Sequence, residues 1–197
     1  SKPFYMGIYE VTQAQWKAVM GNEPWMTETG EGEKMASAQP RPQGFDEYPA
    51  VWMNSYDAIE CCRKLSKKTG RTVSLPTEAQ WEYACRAGTT TTFSFGDDLS
   101  KLIDHGWYGH QTAGQKEDYA HRVGQLKPNA WGLYDMHGNV WEFCRDWYDK
   151  DFYSRSPGVD PENTKETALR CLRGTAWIAP RRCSLFPSKL TPFPFPR

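Results

Sequence analysis

Charge of one sign is what this chain most plainly lacks. Its 24 basic and 24 acidic side chains cancel to a formal net charge of +0 at pH 7. The basic clusters are short: Arg181-Arg182 and the stretch from Arg63 to Lys68. A phosphate backbone or an anionic bilayer surface is held through an excess of Lys and Arg, so nucleic acid is not an expected partner. No apolar run is long enough to cross a bilayer, so membrane insertion by this domain is not expected. No signal peptide is visible either, although Ser1 is compatible with a processed start. Histidine is scarce, and His105, His110, His121 and His137 form no HxH or HxxxH pair. The six cysteines, Cys61, Cys62, Cys85, Cys144, Cys171 and Cys183, contain no CxxC pair and hence no zinc ligand set. In a domain this large disulfides are optional. The reading is mostly buried free thiols, with room for one or two bridges. Adjacent Cys61 and Cys62 cannot both face one helix-packed core.

What the chain has instead is aromatic bulk. Nine tryptophans and 39% apolar residues in 197 suffice for one well-buried core and exclude disorder. The 16 glycines and 14 prolines predict many turns, and long loops anchored by aromatics suit this balance better than a helical bundle.

Residues 4–12, FYMGIYEVT, read as a strand, after which Thr12 caps a helix to about residue 20, with Trp16, Val19 and Met20 on one face and Gly21 as its stop. Residues 22–48 are polar, Gly-rich and aperiodic, and read as a loop. A helix follows over about 55–69, capped by Ser55, with Ile59, Cys62 and Leu65 on its inward stripe and Gly70 as its end. A short strand is expected at 72–75. Thr77 and Gln80 then make a capping box for a helix to about residue 86, with Trp81, Ala84 and Cys85 inward and Gly88 as its stop. Residues 89–130 and 148–168 read as loops. Short elements flank a Gly138-Asn139 turn, and 169–178 reads as a strand. The tail, with three prolines among its last six residues, is no central strand. Trp16, Trp81, Trp131, Trp141 and Trp147 are assigned to the core.

The stretch PNAWGLYDMHGNVWEFCRDW at 128–147 is the most informative. It joins two aromatic runs through a Gly-Asn turn and places Glu142 and Asp146 after it. With YMGIYEVTQAQWKAVMG, LPTEAQWEYACRAG and LRCLRGTAW, it resembles the formylglycine-generating enzyme, or sulfatase-modifying factor, superfamily. The four motifs stand in the family's order over about residues 4–177. The resemblance implies an α+β domain of C-type lectin-like fold, formylglycine-generating-enzyme subtype, with two main helices, a small twisted antiparallel sheet and extensive irregular loops. It implies one domain over 1–197, without the family's usual N-terminal segment and altered at its C-terminal strand, or else an excerpt of a longer protein.

The same resemblance bears on activity. The family's oxidases form formylglycine with a cysteine pair and copper. Here Gly174-Thr175-Ala176-Trp177 stands for their Gly-Gly-Ser-Trp turn, and Ala179 and Ser184 occupy the two cysteine positions. Cys183 is one residue away, on the opposite face of a strand. Soft ligands for copper are therefore missing, the histidines for an iron site are missing too, and neither metal is expected. The alternative is a degenerate or unconventional oxidoreductase of the formylglycine-generating type using Cys183. The chain also resembles the variable proteins of diversity-generating retroelements, which display a variable ligand-binding surface on this scaffold. Ile178, Ala179, Pro180, Arg182, Ser184, Leu185, Phe186, Ser188, Lys189 and Thr191 fall where such a surface would lie. The reading is a non-catalytic domain that binds a protein or other macromolecule, at the bacterial cell surface or elsewhere outside the cytoplasm. Gly138, Asn139, Val140 and Glu142 resemble a structural calcium site of the family, for which a turn supplies carbonyl oxygens and a carboxylate, and Asp104 is a candidate for a second such site. The alternative for Glu142 is a salt bridge to Arg145 or Arg173, and for His137 a structural hydrogen bond. His110 and His121 read as exposed loop residues.

Overall fold

A computed structural model describes residues 2–26, 45–108 and 120–175. Among the described residues three α-helices begin where the caps predict. α1, Gln13–Met20, follows Thr12, whose hydroxyl accepts from the Gln15 amide while the Gln15 side chain accepts from the Thr12 amide. α2, Ser55–Thr69, is capped by Asn54 with Asp57 reciprocating, one residue before the expected Ser55. α3, Glu78–Arg86, repeats the box with Thr77 and Gln80. Each box satisfies two amides that the first turn would otherwise leave open. Gly21 and Gly70 end α1 and α2 at φ 78° and 69°, a region glycine enters without a Cβ clash. α3 stops one residue before Gly88, at Ala87. There Asn129 Nδ2, distant in sequence, donates to the Ala84 and Cys85 carbonyls at 2.8 and 3.2 Å and so satisfies two of the last turn's acceptors.

The sheet described is a single antiparallel pair, β1 (Glu142–Trp147) and β2 (Arg170–Arg173). Glu142 opposes Arg173 and Phe143 opposes Leu172, and the register then breaks before Trp147 opposes Arg170. The expected strand at 169–178 is cut short because Gly174, at φ 77°, turns the chain; the part beyond Thr175 lies outside the described residues. Two expected strands are absent. Residues 4–11 carry no ladder, the Ile8 carbonyl accepting from the Tyr134 amide and Thr12 making an isolated bridge to Pro49. At 72–75 the Val73 amide donates to the Ser66 hydroxyl at 2.9 Å, so a helix side chain replaces the expected ladder. The result is an α+β domain with a small sheet, short helices and extended loops.

Two apolar clusters organise the described residues. Trp81, Ala84 and Cys85 of α3 pack with Leu133, Met136, Cys144 and Cys171, so that α3 lies on the strand pair. Trp16, Trp25 and Cys61 form the second, between α1 and α2. Cys61 is the inward residue of α2, while Ile59 is 38% exposed; the stripe expected through Ile59 is rotated because α1 packs on the Cys61 side. Cys62 is only partly buried, so the adjacent thiols do part company. Two of the five tryptophans assigned to the core stay largely out: Trp131 at 48% and Trp141 at 37%. Trp131 sits in a turn with its ring 4.9 Å from that of Tyr83. Trp141 lies between the bend at 138–140 and the start of β1, with its neighbour Val140 buried. Among the described residues no helix is long and apolar enough to cross a membrane.

Candidate functional site

The Gly-Asn turn is built from polar groups rather than apolar ones. Asp135 and Asn139 adopt φ 60° and 76°, a left-handed region that short polar side chains tolerate. A side-chain carbon at Gly138 would lie 2.2 Å from the Trp107 carbonyl oxygen, so this crossing admits glycine alone. Asn139 is fully buried. Its Nδ2 donates to Glu10 at 2.7 Å and to the His121 carbonyl at 3.2 Å, and its Oδ1 accepts from the His121 amide at 2.8 Å. The second Glu10 oxygen accepts from the Val140 amide at 3.1 Å. His121 is consequently buried and stacked on Trp107 at 3.7 Å, not exposed as the sequence suggested. His137 makes its expected structural bond, with Nε2 2.8 Å from the Ser94 hydroxyl. Burial, helped by His105, lowers its pKa to about 4, so the ring is neutral near pH 7.

Three carboxylates gather behind this turn. Burial, then Glu142 and Asp135, raise Glu10 well above the carboxylate range. Burial raises Asp135. Burial also brings Glu142 to about 7, against the Trp81 indole, which favours its charged form. Asp135 Oδ2 accepts from the Gly124 amide at 2.7 Å, whereas its buried Oδ1 has no hydrogen-bond partner among the described residues. Neither arginine proposed for Glu142 serves it: Arg173 pairs with Glu78 at 2.9 Å and Glu82 at 3.4 Å, and Arg145 pairs with Glu162 at 2.7 Å.

The turn's fit to a calcium ion can be tested on its oxygens. A side-chain carbon at Gly174 would lie 3.0 Å from the Val140 carbonyl oxygen and 3.9 Å from Glu142 Oε1. A carbonyl and a carboxylate thus converge beside a bare glycine, in a negative field, which suits a hard cation. The Asn139 side chain is engaged instead with His121 and Glu10, its Oδ1 accepting from the His121 amide and its Nδ2 donating to Glu10. Among the described residues no group of three or more His, Cys, Asp or Glu is placed to hold a metal, so any ion here would rest on backbone carbonyls and Glu142. Asp104 is exposed and pairs with Lys127 at 2.9 Å.

At the far end of β2, Arg173 bridges Glu78 and Glu82 of α3, and Arg86 completes the chain to Glu82 at 2.6 Å. The Tyr153 hydroxyl donates to Glu78 at 2.9 Å. Asp146 accepts from the Glu78 amide and the Asn163 amide, each at 2.8 Å. These contacts fix the point from which Gly174 and Thr175 leave the scaffold. The expected surface positions, Ile178, Ala179, Pro180, Arg182, Ser184, Leu185, Phe186, Ser188, Lys189 and Thr191, lie outside the described residues, as do Cys183 and His110. Cys61, Cys62, Cys85, Cys144 and Cys171 are free thiols. Sequence reasoning missed Glu10, Asn129, Asp135 and Asp146 as buried anchors. The signal was available for three of them: polar residues inside an aromatic-rich run.

A small loop-rich α+β body, with α3 on a strand pair and a Gly-Asn turn locked by buried carboxylates and amides, defines the class of scaffold. Residues 1–190 match the sulfatase-modifying factor enzyme 1-like domain, and the chain belongs to that family. It is 35% identical over 143 residues to a formylglycine-generating enzyme of Streptomyces coelicolor, covering 68% of this chain and 44% of that one. The chain therefore spans less than half the length of this relative. Among solved structures it resembles Treponema denticola variable protein 1, with TM-score 0.62 and 27% identity, covering 86% of this chain and 72% of that one. It also resembles PvdO from Pseudomonas aeruginosa, with TM-score 0.66 and 30% identity, over 86% and 67% of the two chains.

Proposed function

We propose that this chain is a non-catalytic ligand-binding domain, one that binds a protein, with its surface built from Ile178, Ala179, Pro180, Arg182, Ser184, Leu185, Phe186, Ser188, Lys189 and Thr191. The loop at 89–125 flanks that surface. The observation that carries the reading is the likeness to a variable protein over 86% of the chain. It gains force from Ala179 and Ser184, which stand where the family's oxidases carry their cysteines. A scaffold anchored by buried polar groups, with tolerant positions beyond it, lets one fold meet many partners. Aromatic, Arg and small polar side chains suit such an interface. The domain is one unit over 1–197 and works outside the cytoplasm of a bacterium. A structural calcium ion, held by Glu142, the Val140 carbonyl and backbone oxygens of Gly138 and Asn139, would neutralise the buried carboxylates.

Two observations test this. With a sulfatase-type cysteine peptide, copper, reductant and oxygen, no aldehyde should form. Aldehyde at enzymatic turnover would replace the proposal with an oxidase acting through Cys183. In the source genome, a reverse transcriptase should stand beside a near-copy of the DNA for the C-terminal region, differing mainly at adenines. Its absence from a complete genome would remove the variable-protein part of the reading.

A further inference from the structure

The two strands of the described sheet each carry one inward cysteine. Cys144 is 0% and Cys171 3% exposed, and both belong to the cluster under α3. Phe143 opposes Leu172, and the register breaks beyond that pair, so Cys171 has no single opposed residue on β1. Cys171 stands alone on β2 between Leu172 and Arg170, facing residues 144–146 of β1. Of those three, Cys144 and Asp146 are buried while Arg145 turns outward. In the reduced form Cys171 Sγ donates to Glu78 Oε2 at 3.6 Å, and a bridge to Cys144 requires Cα atoms within about 4.4–6.8 Å. The extra residues on β1 supply the local freedom that a bulge gives. The other described cysteines are placed elsewhere: Cys85 on α3, with its sulfur 3.7 Å from the Met136 carbonyl, and Cys61 and Cys62 on α2.

We propose that Cys144 and Cys171 form a cross-strand disulfide when the chain folds in an oxidising compartment, making this pair a modification site. The oxidant is a small-molecule disulfide. One protein thiolate attacks it, forming a mixed disulfide and releasing one small thiolate. The second protein thiolate then attacks the protein sulfur of that mixed disulfide and releases the other. Two protein thiols are oxidised, one small disulfide is reduced to two thiols, and the two protons end on the released thiols. Both protein sulfurs are sealed in the folded core, so exchange takes place before the core closes, and the folded reduced protein is slow to react. The bond would fasten β2 to β1 just before Gly174, at the base of the segment leading to Trp177.

The test refolds the whole chain in a mixture of reduced and oxidised glutathione, traps remaining thiols by alkylation, and maps peptides without reduction. The expected result is a linked peptide pair containing Cys144 and Cys171, an intact mass lower by two hydrogens, and no alkyl label on either residue. Folded protein kept reduced, then exposed to oxidised glutathione, should acquire the link far more slowly. Full alkylation of both cysteines after oxidative refolding would overturn the proposal. So would a link from either one to Cys61, Cys62, Cys85 or Cys183. Cys171→Ser should leave Cys144 fully alkylated, and a new bridge at Cys144 in that variant would show the pairing to be unspecific. Because the peptide map uses the unaltered chain, poor folding of the variant does not spare the proposal.

Discussion

The two apolar clusters among the described residues are held together differently. Around Trp16, Trp25 and Cys61, helices α1 and α2 meet chiefly through side-chain packing, with an exposed Lys68–Ala18 bond, a local Trp16–Asn22 bond and a local cap on each helix. Around Trp81, Leu133 and Cys144, packing is reinforced by polar groups reaching across the chain. Asn129 holds the end of α3, Asp146 holds its start, and Asn139 joins Glu10 to the Gly-Asn turn. A packing contact weakens gradually when atoms are removed, whereas a buried polar group that loses its partner keeps its full desolvation cost. The second region, which leads into the proposed surface, should therefore be the more unforgiving of the two.

The largest effect should come from breaking a long-range anchor. Asn139→Ala strips Glu10 and the His121 backbone of buried partners and should cost about 3–4 kcal/mol. Cys61→Ala, which removes a packing contact of the first cluster, should cost about 1–2 kcal/mol. Urea unfolding of both variants measures the contrast, and equal losses would break it.

Proton linkage gives the next largest effects, and they have opposite signs. The folded chain keeps His137 neutral down to about pH 4, while the unfolded chain protonates near 6.5. Between those values the unfolded state binds more protons, so stability should fall as pH drops from 6.5 to 4, by at most about 3 kcal/mol. His137→Asn should flatten that acid limb. Glu142, raised to about 7, favours the folded state while protonated. Its contribution is present below the ordinary carboxylate range and is lost as pH rises through 7. If calcium sits against Glu142, added calcium should raise the melting temperature above pH 7 and a chelator should reverse it. A melting temperature indifferent to both would remove the ion from the account. The smallest effect tests the local caps. Thr12→Ala and Thr77→Ala should each cost about 1 kcal/mol, and thermal melts should show similar losses, because both boxes are local whichever cluster they serve.

Locality also explains how much was legible in the sequence. The three helix starts follow from side chains two or three residues from the amides they satisfy, so Thr12, Thr77 and the 54–57 region announced them. The Gly-Asn turn was legible because its backbone demands particular residues. The missing strands were not, since a strand exists only if another segment offers an edge, and at Val73 a helix serine took the hydrogen bond instead. Glu10 was equally hidden: alone in FYMGIYEVT it looks like a solvated charge, and its role appears only when Asn139 arrives from 129 residues away. Trp131 and Trp141 misled because aromatic content marks a core without saying which ring faces it. The family motifs reached Trp177, and the expected binding residues begin at Ile178, where neither motif nor described structure constrains them.

The central claim is that residues 178–191 are a tolerant surface on an exacting scaffold. The most direct measurement displays the chain on cells, randomises the ten proposed surface positions in one library and Asn129, Asp135, Asn139 and Asp146 in another, and scores survival of protease treatment. Most members of the first library should remain protease-resistant, and few of the second. Equal collapse of both libraries would contradict the claim, because it would make residues 178–191 part of the fold's core rather than its display surface.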